Sequence, residues 1–206
     1  KLKLLYSKEK ENYEKYWDDI NPFIKYGCMK EPKFYERVKG ILIYKTINGK
    51  YVTQEEYLEQ NKNTDKKIFY VTDENQQAQY IRMFKEQGLD AVILNTMIDS
   101  HFVSFMESQN QDVKFMRVDA DITEILKSEK ADEEDNKKLS EKLEELFKEA
   151  TNNDKLKVKV ESLKNEETSA IILISEHAQR FKEMSRAFGG NLNLADLPSD
   201  DELVLN

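Results

Sequence analysis

Three short apolar runs recur between residues 66 and 120: Ile68–Val71 (IFYV), Ala91–Leu94 (AVIL) and Phe115–Val118 (FMRV). Continuous apolar or β-branched runs of strand length, separated by helical patterns, predict parallel strands buried on both faces with crossover helices between them. The first of those helices is predicted over Glu74–Gln87, capped by Asp73 and stopped by Gly88, with Ala78, Ile81 and Phe84 facing inward. The second starts at an N-capping Asp99 and carries Phe102, Val103, Phe105 and Met106.

Upstream, Tyr13, Trp17, Ile20 and Ile24 recur at intervals of three and four, the signature of a helix with one buried stripe between Leu2 and about Tyr26. Asn21-Pro22 predicts a kink or restart, since proline disfavours helical geometry in the residue before it, and Gly27 reads as the C-cap. A short helix with Phe34, Tyr35 and Val38 follows. Ile41–Thr46 and Tyr51-Val52 then form a predicted hairpin around Asn48-Gly49, and Thr53 with Glu56 opens another short helix as a capping box.

After Val118 the pattern changes. Ile122–Leu126 is a last apolar patch before a charged run, and a domain boundary is placed near Ser128–Asp132. Beyond it Leu139, Leu143, Leu146 and Phe147 mark a helix. Then come strands at Val158–Leu163 and Ala170–Ser175, a helix at Glu176–Phe188, an irregular Gly-Gly-Asn segment and a strand at Glu202–Leu205. This order predicts a small α+β unit after an α/β one.

Composition narrows the function classes. Charged residues make up 35% of the 206 and the net charge is −8. That balance argues against a non-specific nucleic-acid binder or a surface held on anionic lipid, both of which need a basic face. No apolar run approaches the roughly 20 residues that span a bilayer. Cys28 is the single cysteine, so no internal disulfide forms and a reducing compartment is expected. The chain lacks an initiator Met and opens as if partway through a helix, which reads as an excised fragment.

Candidate chemistry is sparse. His101 and His177 have no cysteine or carboxylate at metal-ligand spacing, and Cys28 has no evident base. Asp119 and Asp121 flank an alanine and could bind a hard cation, yet a turn after a strand explains them more cheaply. Gly189-Gly190 neither follows a strand nor opens a helix, and the loop after Ile68–Thr72 has no glycine to cradle a phosphate. The more suggestive feature is apolar: Phe181, Met184 and Phe188 form a stripe that is either a core face or a surface for extended polypeptide.

The strings YWDDINPFIKYGCMKEPKFYERV, TQEEYL and KIFYVTDENQQAQYIRMFKEQGLDAVILNTMIDSHFVSFMESQNQDVKFMRVDAD resemble the heat shock protein 90 chaperones, in particular the bacterial high-temperature protein G form. KLKVKVESLKNEETSAIILISEHAQRFKEMSRAFGG and ELVLN look like the start of that family's C-terminal domain. The resemblance is collinear over essentially the whole chain. It implies that residues 1–30 are closing helices of the large middle subdomain. Residues 31–128 are then the small, three-layer α/β/α middle subdomain, and residues 129–206 an α+β C-terminal domain without its dimerisation helices.

The resemblance also implies a cytoplasmic, ATP-dependent parent that works as a homodimer with ATP and magnesium. The nucleotide domain and the catalytic arginine loop would lie outside this segment, which is then expected to be non-enzymatic and without a cofactor of its own. Its expected partners are unfolded or partly folded client proteins, with neither nucleic acid nor membrane. By motif, the client contacts fall on His101 and Phe102, with His101 at a position that is tryptophan in some relatives, and on Phe181, Met184, Ser185 and Phe188. The alternative reading is an independent α/β binding module or an enzyme with a cryptic nucleotide site.

Overall fold

The structure, a computed structural model, describes residues 1–120, 133–152, 156–161, 170–173, 180 and 202–205. Two compact units divide the chain, Lys1–Val118 and Asp119–Asn206.

The first unit opens with helices α1 (Leu2–Lys8) and α2 (Lys10–Lys30). Tyr13, Trp17, Ile24 and Cys28 are buried along one face of α2, with Ile20 half-buried beside them. Contrary to the predicted break, α2 runs unbroken through Pro22. A helical proline costs stability because it supplies no N–H to the carbonyl four residues back. Here that carbonyl is Asp18's, and the Asn21 side chain replaces the lost donor: its Nδ2 donates to the carbonyls of Asp18 (3.1 Å) and Trp17 (3.0 Å). Gly27 is likewise inside the helix instead of capping it. Its role is steric, since a Cβ there would lie 2.9 Å from a ring carbon of Phe34 on α3 (Pro32–Val38). Glu31 makes the break instead, its carboxylate accepting from the Lys33 N–H while Pro32 takes the first helical position.

A short 3-10 turn, Lys39–Ile41, takes the start of the run expected to be strand. The hairpin pairs β1 (Ile43–Lys45) with β2 (Tyr51–Thr53) in antiparallel register. Of the Asn-Gly pair only Gly49 has positive φ, at 75°, and the Gly49 N–H closes the turn on the Thr46 carbonyl at 2.8 Å. The predicted capping box is present: Thr53 Oγ1 accepts from the Glu56 N–H and Glu56 Oε2 from the Thr53 N–H, opening α4 (Gln54–Gln60).

The three apolar runs form a parallel sheet in the order β4-β3-β5, built from β3 (Lys67–Val71), β4 (Val92–Ile93) and β5 (Lys114–Arg117). Ile68 and Tyr70 point into a core shared with α2 and with Phe102, Val103 and Met106 of α6 (Asp99–Gln109). Phe69 meets Phe84 of α5 (Ala78–Glu86) edge to face, their ring centroids 5.0 Å apart. Covering both faces with helices makes a three-layer α/β/α sandwich, and it is why the strands read as unbroken apolar runs. An isolated antiparallel bridge, Thr46 to Val92, joins the hairpin to the outer side of β4.

Helix α5 begins four residues later than the pattern predicts. Asp73 Oδ1 accepts from the Asn75 and Gln76 N–H groups and closes a turn instead of a helix. As a result Met83 joins Phe84 as the buried pair, Ile81 is half-buried and Ala78 faces solvent. Gly88, with φ of 67°, ends the segment as expected.

In the second unit, α7 (Glu133–Thr151) packs on the mixed sheet β6-β8-β7, formed by β6 (Lys157–Val160), β7 (Ala170–Leu173) and β8 (Glu202–Leu205). Strand β8 runs parallel to β6 and antiparallel to β7. Of the four apolar positions that mark α7 in the sequence, Leu143 and Phe147 are half-buried while Leu139 and Leu146 face solvent. The Ile122–Leu126 patch, the Ser128–Asp132 boundary and nearly all of the Glu176–Phe188 helix lie outside the described residues.

Candidate functional site

The start of α6 gathers the first unit's polar interior. Asp99 was expected to cap α6; it stands instead in the helix's first turn and is 3% exposed. One carboxylate oxygen, Oδ2, accepts from both the N–H and the hydroxyl of Thr96, at 2.8 Å each. The other, Oδ1, meets Lys25 Nζ at 2.5 Å across the α2–α6 contact. Burial holds the Lys25 ammonium below its ordinary pKa, opposed by the Asp99 charge and hydrogen bond.

Because Asp99 is drawn inward, the residues at the following helical intervals go with it. Phe102, Val103 and Met106 are buried, and Lys25 Nζ lies 5.6 Å from the centre of the Phe102 ring. Phe102 is therefore 1% exposed, which departs from the surface placement that client contact needs. His101, off that stripe, is half-buried. The large exposed side chain of the segment is Met97, at 75%, which sequence reasoning did not single out. Its signal was its place in the loop before the helix, outside the stripe spaced from Asp99. Phe181, Met184, Ser185 and Phe188 lie outside the described residues.

Beside the ion pair is a cleft of about 260 Å³. Asn21, Lys25, Tyr44 and Asp99 line it from buried positions, with Asp18, Lys45, Glu74 and Asn95 among its other walls. Asn21 and Tyr44 are 6% and 2% exposed, and Asn21 Oδ1 and the Tyr44 hydroxyl have no hydrogen-bond partner. Burial also pushes the Tyr44 hydroxyl well above the usual tyrosine range. At the neighbouring strand end, where doubly wound sheets commonly bind anions, the donors are taken internally: the Thr72 and Asp73 N–H groups donate to Gln77 Oε1. Among the described residues no group of three or more His, Cys, Asp or Glu could hold a metal ion, and no helix is long and apolar enough to cross a membrane.

Fold and site together define an α/β scaffold with a buried polar joint. The Hsp90 protein family model matches residues 2–193, and the chain belongs to the Hsp90 family, whose members are chaperones. It is similar to the chaperone protein HtpG of Porphyromonas gingivalis, 28% identical over 217 residues that cover 100% of this chain and 32% of the relative. HtpG of Bacteroides fragilis is 27% identical over the same shares. HtpG of Idiomarina loihiensis is 30% identical over 160 residues, covering 72% of this chain and 24% of the relative. The chain thus spans about a third of the length of the first two relatives. Among solved structures, the middle domain of a Plasmodium falciparum heat shock protein aligns with a TM-score of 0.46 at 19% identity, over 57% of this chain and 51% of that one.

Proposed function

We propose that this part of an Hsp90-family chaperone binds partly folded polypeptides through apolar side chains presented on a rigid scaffold and performs no chemistry of its own. The observation that carries the reading is Met97, a flexible apolar side chain 75% exposed in the loop before α6, four residues ahead of His101. Methionine suits varied partners because its unbranched, polarisable chain repacks against different surfaces. His101, with Phe102 in the core on the same helix, is a proposed contact of the first unit, and Phe181, Met184, Ser185 and Phe188 are proposed as separate contacts of the second. ATP and magnesium, the homodimer and a cytoplasmic setting belong, in this reading, to the whole chaperone.

Two measurements test it. A reduced, carboxymethylated and so permanently unfolded protein should bind the chain, and Met97→Ser should weaken that binding without lowering the melting temperature. ATP with magnesium should leave the melting temperature unchanged; a dose-dependent rise would reveal a nucleotide site in this segment and overturn the non-catalytic reading, since a ligand that binds the native state stabilises it by mass action.

A further inference from the structure

We propose that the Lys25–Asp99 pair is a release latch between α2 and α6, and that opening it uncovers Phe102 for polypeptide. The proposal rests on the client-binding reading and adds its regulation. Both side chains are almost fully buried, at 5% and 4% exposure, and they join residues 74 positions apart. A buried ion pair is an uneconomical way to glue two helices, because each charge loses its hydration on closing and regains it on opening. Apolar residues of the same size would hold α6 more firmly. The pair therefore lowers the cost of the open state while keeping the closed state specific.

The surroundings supply what an alternative arrangement needs. Asn21 Oδ1 lies one turn before Lys25 on α2, has no partner and can accept the ammonium. The Tyr44 hydroxyl, on the other wall of the cleft from α2, is also without a partner. Both residues line the cleft that Lys25 and Asp99 share, so water has a route to the pair. Two hydrogen-bond arrangements of the same groups are the kind of discrete alternative on which a switch is built. Asp99 also holds Thr96, so the segment bearing Met97 and His101 moves with it. Phe102, directly beneath Lys25, is the apolar group that opening uncovers.

Two variants of the full chain separate latch from structural contact. Lys25→Met with Asp99→Asn removes both charges and keeps an oxygen for Thr96. It should melt no lower than wild type, slow amide exchange across Phe102–Met106, and weaken binding of reduced, carboxymethylated α-lactalbumin by about fivefold. Lys25→Met alone leaves a buried, unpaired carboxylate. It should speed that exchange and tighten the same binding by about fivefold. Equal binding by wild type and the double variant, or unfolding of the double variant, overturns the latch. Should Lys25→Met fail to fold, the double variant decides alone, because a purely structural pair predicts unchanged binding. If wild type does not bind the unfolded probe, the client reading fails, and the latch is then judged by exchange: equal rates in wild type and double variant overturn it.

Discussion

The Tyr57 hydroxyl is inserted as a rung beside Phe69. It accepts the Phe69 N–H at 3.2 Å and donates to the Asp90 carbonyl at 2.6 Å, at the end of the sheet where β4 has not yet begun to pair with β3. A side chain on α4 thus completes a ladder that the two-residue β4 is too short to complete. Tyr57→Phe would leave a buried N–H and a carbonyl unpaired and should cost about 2 kcal/mol. Urea unfolding measures this, and a change below about 0.5 kcal/mol would mean the hydroxyl is dispensable.

The capping box on α4 gives a pH dependence. The backbone N–H of Thr53 holds the Glu56 carboxyl below its ordinary value of 4.5, with the Lys10 charge a lesser cause. A depressed carboxylate adds stability that is present above its unfolded pKa and lost as pH falls through the folded one. The stability difference between wild type and Glu56→Gln should therefore shrink as pH falls below about 4.5. Thr53→Ala should cost about 1 kcal/mol at neutral pH, read from the same denaturant curves.

Cys28 is 1% exposed, and burial pushes its thiol up to about 11 from an ordinary 9.0. Since the thiolate is the nucleophile, an aromatic disulfide reagent at pH 8 should leave the native chain unmodified and titrate one thiol after denaturant is added. A raised pKa favours the fold below the unfolded value. The thiol's contribution, measured against Cys28→Ala, should accordingly decline as pH rises from about 9 toward 11. Rapid native labelling would show that α2 opens readily at its C-terminal end.

Both units blunt a strand edge in the same way. Glu107 Oε1 accepts the N–H of Phe115 at 2.8 Å, while in the second unit Ser140 Oγ and Glu144 Oε2 accept those of Val160 and Val158 at 2.8 and 3.2 Å. Lys148, and then the Val158 N–H, hold the Glu144 carboxyl below its ordinary range. Unpaired edge N–H groups invite pairing with other chains. Ser140→Ala with Glu144→Ala should speed amide exchange at Val158 and Val160, destabilise the second unit by about 1 kcal/mol and increase aggregation on heating. Unaltered exchange at both amides would show that α7 does not protect this edge.

Much of the first unit was legible in its residues. Strand runs, capping box, hairpin and Gly88 stop are local signals, each set by a few neighbouring side chains. The misread features depend on partners elsewhere. Pro22 breaks a helix unless a donor replaces its N–H, and Asn21 does so through a geometry no periodicity shows. Gly27 resembles a cap until Phe34 is packed against it. Asp99 reads as a cap by type, but its destination depends on Lys25, 74 residues earlier. The same distance hid the burial of Phe102, because which face of α6 turns inward is decided by α2.

That separation has a consequence during synthesis. Helix α2 leaves the ribosome with the Lys25 ammonium lacking Asp99 and Phe102 of α6, because neither residue is yet made. At translation rates of about 5–20 residues per second, Asp99 is added roughly 4–15 s after Lys25. For that interval a lysine destined for the interior stays hydrated on α2, and the helix reaches its final packing only after its counter-ion has been made.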